Sequence, residues 1–126
     1  MGNIFVLPAD DSVYNITYPV AQYDHDEGNA ISGGYEYWGN AIPELKGKYV
    51  FGDYRSPEKL TTGRLFEADL KTGAIKEVRI GKNDRDLGLL LKGFGEDSEG
   101  ELYIACSTIQ GPTGTTGVVL KITAAD

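Results

Sequence analysis

Tyr49-Val50-Phe51, followed by Thr62-Gly63-Arg64-Leu65-Phe66, returns later in the chain as Tyr103-Ile104-Ala105 followed by Thr116-Gly117-Val118-Val119-Leu120. Both pairs stand 54 positions apart (103 − 49 and 116 − 62), so the spacing inside the two copies is the same. A period of about 50 residues falls in the range of propeller blades, each a four-stranded supersecondary unit that buries its faces against its neighbours. The repeat therefore reads as two copies of one β unit.

Outward from that repeat, the chain carries eight short strand-like runs. They cover 18–23, 30–38, 48–54, 64–70, 75–80, 89–94, 101–107 and 118–123. Turn chemistry separates them, as in Asp26-Glu27-Gly28, Gly39-Asn40, Asp97-Ser98-Glu99-Gly100 and Gly111-Pro112-Thr113-Gly114. Lys71-Thr72-Gly73 lies between two runs and reads as a tight hairpin in which Gly73 supplies a positive φ. No long stretch keeps an apolar period of 3.6, so almost no helix is expected. Residues 4–7 suit either a strand or an arm.

Laid on the repeat, the first unit holds four strands and the second three, its fourth falling beyond Asp126. The run from Tyr18 to Tyr23 (residues 18–23) has no unit before it. The expected fold is all-β: two four-stranded blades of a six-bladed β-propeller. The outer strand of the last blade is supplied by Tyr18 to Tyr23 of the same or a neighbouring chain, because an unpaired edge invites another strand. The corresponding divisions are an N-terminal arm over 1–16, outer strand and turn over 17–28, blade one over 29–81 and an incomplete blade two over 82–126.

Composition agrees with an all-β domain: 126 residues with 17 Gly and 8 Tyr, but single Met and Trp residues. Twelve Lys and Arg against 19 Asp and Glu give a net charge of −7. Nucleic acid and anionic membrane surfaces need a positive patch, and the longest basic cluster is Lys46/Lys48, so neither is expected as a partner. No apolar run reaches spanning length. The single cysteine, Cys106, excludes an intrachain disulfide and lies in an apolar strand pattern that suits a buried, inert thiol.

The ordered motifs carry a family resemblance. Pro19-Val20-Ala21-Gln22-Tyr23-Asp24-His25 and Ile31-Ser32-Gly33-Gly34-Tyr35 lead into Ile42-Pro43-Glu44-Leu45-Lys46-Gly47-Lys48-Tyr49-Val50-Phe51-Gly52-Asp53. Thr62-Gly63-Arg64-Leu65 and Gly93-Phe94-Gly95-Glu96-Asp97-Ser98-Glu99-Gly100-Glu101-Leu102-Tyr103 follow. Together they resemble the C-terminal part of the glucose/sorbosone dehydrogenase family. The last motif is also similar to the Hedgehog-interacting protein propeller. The resemblance implies a six-bladed propeller and a periplasmic or extracellular location. It also implies sugar oxidation with pyrroloquinoline quinone and Ca²⁺, through a His base and cations facing the quinone carboxylates. The stretch bearing the family's catalytic His has no counterpart in this sequence, so no catalytic residue carries over. Lys92 falls at one cationic position, Leu90 occupies the other, and Arg85 is nearby but out of register.

His25, the only histidine, is the second cofactor-facing candidate, set among Asp24, Asp26 and Glu27. Its alternative role is to brace the turn with those carboxylates. Asp24/Asp26/Glu27 and Asp97-Ser98-Glu99-Gly100 could offer hard oxygens to Ca²⁺, or simply close acidic turns, and no metal ligand is assigned. Asp53 either points into the propeller's upper face or closes the next turn through backbone hydrogen bonds.

Two functions follow. One is a non-catalytic module or fragment related to sugar dehydrogenases, acting in binding or assembly. The other is a quinone- and calcium-dependent aldose dehydrogenase completed by other chains or blades. The expected partners are copies of the chain (three copies of two blades make six), the rest of a longer propeller, or a sugar ligand.

Overall fold

A computed structural model describes residues 15–125. The expected arm over 1–16 lies almost wholly outside them. Seven strands form: β1 Ile31–Glu36, β2 Tyr49–Asp53, β3 Arg64–Ala68, β4 Ile75–Val78, β5 Leu90–Glu96, β6 Leu102–Ser107 and β7 Val118–Lys121. The only helical element among them is a single 3-10 turn, Pro43–Leu45, which starts at a proline where the missing N–H costs nothing. All pairings are antiparallel, giving one sheet in the order β1-β2-β3-β4 and a second in the order β5-β6-β7. Neither sheet closes on itself.

Side-chain alternation explains how the sheets meet. Val50 and Leu65 point toward the second sheet, while Phe51 and Phe66 point away. Leu102, Ile104 and Cys106 of β6 point back toward the first sheet. β1 lies against β5, so the first strands of both sheets are neighbours. Leu91 and Leu102 are fully buried in this seam; burying each aliphatic side chain contributes about 1.5–3 kcal/mol. Glycines set how closely the sheets approach: a Cβ on Gly52 would stand 1.9 Å from Leu91 Cδ2, and one on Gly63 2.7 Å from Leu91 Cβ.

The two sheets repeat one plan. Each first strand carries a bulge near its start, between Ile31 and Gly34 in β1 and between Leu91 and Gly93 in β5. Each second strand follows a glycine at φ +80°, Gly47 and Gly100. The structural equivalence is therefore 53 positions for β2 and β6 (100 − 47), not 54. The third strands keep 54, since Phe51 pairs with Phe66 as Ile104 pairs with Leu120. The extra residue falls in the loop after β6. The slip matters because a one-residue shift turns every side chain to the opposite face: Phe51 corresponds to Ile104, not to Ala105.

Segment 18–23 corrects an expectation. It forms no strand, and it lies on the first sheet's far face rather than beside β7 of its own chain. Ala21 and Tyr23 pack on Phe51, Phe66, Ala68 and Ile75, and Tyr23 donates from its hydroxyl to Asp53 at 3.0 Å. Those contacts hold the segment one sheet away from β7.

The expected hairpin after β3 is present, with Gly73 at φ +75°. Asp69 closes it, its Oδ1 accepting from the amides of Lys71 and Thr72 at 2.8 and 3.0 Å.

Candidate functional site

The two residues singled out from the sequence are not brought together. His25 is exposed on the turn before β1. That turn is closed by Asp24, whose carbonyl accepts from the amides of Glu27 and Gly28 (3.0 and 3.1 Å) and whose Oδ1 accepts from Asp26 N. The brace is thus the preceding aspartate, and His25 is a partner in none of these bonds. Lys92 sits in the β5 bulge on the second sheet's outer face. Its Nζ donates to the Gln110 carbonyl at 2.5 Å and stands 5.1 Å from the Tyr54 ring centre. It borders an open cleft of about 620 Å³ lined by residues of the 105–119 stretch, none of them from the 24–28 turn. Leu90, the second family position, is buried and apolar.

In each acidic turn the leading aspartate, Asp24 or Asp97, is engaged by the turn's own amides. Asp97 accepts from the amides of Glu99 and Glu101 through Oδ1 and from the Tyr103 hydroxyl through Oδ2, and these donors hold it below the ordinary carboxylate range. Asp53, fully buried, accepts from Tyr23 Oη, Asn29 N, Ala30 N and Arg55 N. Of its two readings, the turn-closing one is realised. Burial and the adjacent Asp53 push the Tyr23 hydroxyl upward. Cys106 is buried and its thiol is pushed up to about 11. Among the described residues no group of three His, Cys, Asp or Glu side chains is arranged to hold a metal ion.

Two clusters escaped the sequence reading. The first is an alternating ion-pair chain along a cleft of about 730 Å³. Arg64 meets Glu77 at 3.2 Å, Glu77 meets Arg79 at 3.1 Å, Arg79 meets Asp86 at 3.1 Å and Asp86 meets Lys59 at 2.7 Å. Lys59 and then Arg79 hold Asp86 below its ordinary range. Each guanidinium is already matched by a carboxylate, so the chain braces β3, β4 and their loops. No signal in the sequence pairs residues 59 and 86; only the β3–β4 register and two loops do.

The second cluster ties the sheets together. Glu101, at the start of β6, accepts from the Tyr37 hydroxyl at 2.6 Å and from the amides of Asn40 and Ala41 at 3.0 and 3.1 Å. Tyr37 is fully buried, and its oxygen in turn accepts from Ile42 N. The Tyr37 hydrogen bond holds the Glu101 carboxyl below its usual range. A lowered folded-state pKa adds stability that is present above the unfolded value of about 4.3 and is lost as pH falls through the folded one. The urea midpoint is therefore expected to fall as the pH drops through about 4.3 and below. Glu101→Gln should start lower at neutral pH and lose less on acidification. Parallel pH profiles for the two proteins would contradict the assignment to Glu101.

No family model matches the chain.

Proposed function

We propose that this chain is a pair of propeller blades without catalysis of its own, related to sugar dehydrogenases and acting in binding or assembly. The observation that carries the reading is the stacking of two sheets built on one plan. They pack through facing first strands, and apolar residues remain exposed on both outer faces. Ile31 (63% exposed) lies on one and Val119 (71%) on the other. A blade buries its faces only against neighbours, so such surfaces call for further blades, from copies of the chain or from the rest of a longer propeller. Three copies would supply the six blades that the resemblance implies.

The residues present do not fit pyrroloquinoline quinone with Ca²⁺. One cation, Lys92, already donates to Gln110 O, and the second cationic position holds the buried Leu90. His25 belongs to a different surface, and in each acidic turn the leading aspartate, Asp24 or Asp97, gives its Oδ1 to backbone amides. The dehydrogenase alternative would need these groups from other chains or blades. Titrating the protein with the quinone and Ca²⁺, followed by the fluorescence of the exposed Trp38, is expected to show no saturable change and no aldose-dependent dye reduction. Saturable binding with sugar-dependent turnover would overturn the proposal, whereas glycan binding without turnover supports a binding module.

A further inference from the structure

Inside the chain, the sheets lock where Leu91 sits over Gly52 and Gly63. Each of the three has a counterpart on an outer face. Leu91 pairs with Cys106 before the β5 bulge as Ile31 pairs with Asp53 before the β1 bulge, so Ile31 is its equivalent on the first sheet. By the 53- and 54-residue equivalences, Gly52 corresponds to Ala105 and Gly63 to Gly117, both on the second sheet. Leu91 is fully buried, while Ile31, its counterpart, is exposed in a groove with Val20, Tyr49 and Phe51. The receiving face is correspondingly flat: beside Ala105, a Cβ on Gly93 or Gly95 would meet nothing within 4 Å. Glycines in a strand interior weaken it and often mark the close approach of another backbone.

Resting on the module reading above, we infer that the outer face of the first sheet docks onto the outer face of the second sheet of another copy, Ile31 seating over Gly117 and against the methyl of Ala105, which stands where Gly52 has none and sets a wider spacing than at the Leu91 seam. Charge agrees with shape. The receiving face carries Lys92 and Lys121, and the inserting face carries Glu36, with Asp26 and Glu27 nearby. None of these is in an ion pair among the described residues.

The same docking accounts for segment 18–23. In a copy seated this way β5, β6 and β7 lie over β1, β2 and β3, so the vacant place beside β7 lies over β4. Segment 18–23 reaches that place at Val20, whose O stands 2.3 Å from where a Gly73 Cβ would lie, while the Tyr23 ring extends from Ile75 across Phe66 and Phe51. It becomes the fourth strand of the partner's second sheet and covers the otherwise exposed β7. The contact is heterologous, joining different surfaces of the two copies, so it propagates until it closes into a ring.

The test uses Ile31→Asp and Val119→Asp, both at exposed positions, with circular dichroism to check that each variant folds. Wild type should show a sedimentation mass that is a multiple of 13.7 kDa. Either variant alone should run at 13.7 kDa. An equimolar mixture of the two keeps one intact inserting face and one intact receiving face, and should give a species of twice that mass. Amides of residues 18–23 should be protected from exchange in wild type and lose protection in Ile31→Asp. A wild-type assembly unmoved by both substitutions would overturn this interface while leaving assembly itself standing. A folded wild-type monomer at every concentration would overturn docking between copies, and the quinone titration judges the non-catalytic reading separately.

Discussion

Replacing Asp53 with Ala is expected to cost about 4 kcal/mol and to lower the melting temperature by roughly 10 °C or more. Asp53 is fully buried, and its two oxygens satisfy four donors from three places in the chain: Tyr23 Oη at 3.0 Å, Asn29 N at 2.8 Å, Ala30 N at 2.9 Å and Arg55 N at 3.3 Å. Alanine leaves those donors without an acceptor in a site that water would have to enter. Each unsatisfied buried group costs about 1–3 kcal/mol, and crowding limits relief, since a Cβ on Gly28 would stand only 2.1 Å from Asp53 Oδ2. Asp53→Asn keeps the shape but turns an NH₂ toward two of the donors, so its loss should be intermediate. Tyr23→Phe removes one bond and should cost about 1 kcal/mol. Urea melts of the three variants should rank in that order. An Asp53→Ala protein within about 1 kcal/mol of wild type would show that the hub contributes little beyond its solvent-bonded alternative.

The second large effect is expected at the seam between the sheets. Leu91→Ala should destabilise by about 3 kcal/mol, the sum of lost burial and the cavity left between two rigid sheets. Gly52→Ala should also destabilise, by about 1–3 kcal/mol, because its new methyl points at Leu91 Cδ2. The double variant should lose less than the sum, since the methyl then occupies part of the vacated space. Gly63→Ala provides the contrast. Its Cβ would stand 2.7 Å from Leu91 Cβ, which alanine keeps, and 2.9 Å from Asp53 O and Leu91 N, so removing the rest of the Leu91 side chain should relieve it little, whereas at Gly52 only the Arg64 O contact at 2.9 Å would remain. Full additivity of Leu91→Ala with Gly52→Ala, measured in urea, would contradict this packing.

Both effects lie at positions the family-like motifs marked without explaining. The Gly52-Asp53 pair reads in the sequence as a strand end followed by a turn; Asp53 closes that turn through Arg55 N, and its shorter bonds go to the distant amides of Asn29 and Ala30. Nothing local indicates that Gly52 must admit a leucine 39 positions away (91 − 52). The candidate ligands fared differently. His25 and Lys92 stand out by residue type and motif position, yet they sit on separate surfaces, because side-chain chemistry says nothing about which turn or bulge will carry it. The ion-pair chain from Arg64 to Lys59 was illegible for the converse reason, its members being scattered among two strands and two loops.

Local physics alone determined the seven strands, the near absence of helix, the positive-φ Gly73 and the existence of an internal repeat. Alternation, β-branched and aromatic runs and turn residues act over a few positions, and tertiary packing here follows their preferences. Whether the repeat ran at 53 or 54 was decided only by the fold, because a one-residue shift leaves the pattern of residue types almost unchanged while reversing which face is buried. The place of segment 18–23 was likewise settled by tertiary contacts. Its sequence is that of a strand, but a strand needs a partner edge, and Asp53, Phe51 and Phe66 hold it against the first sheet instead.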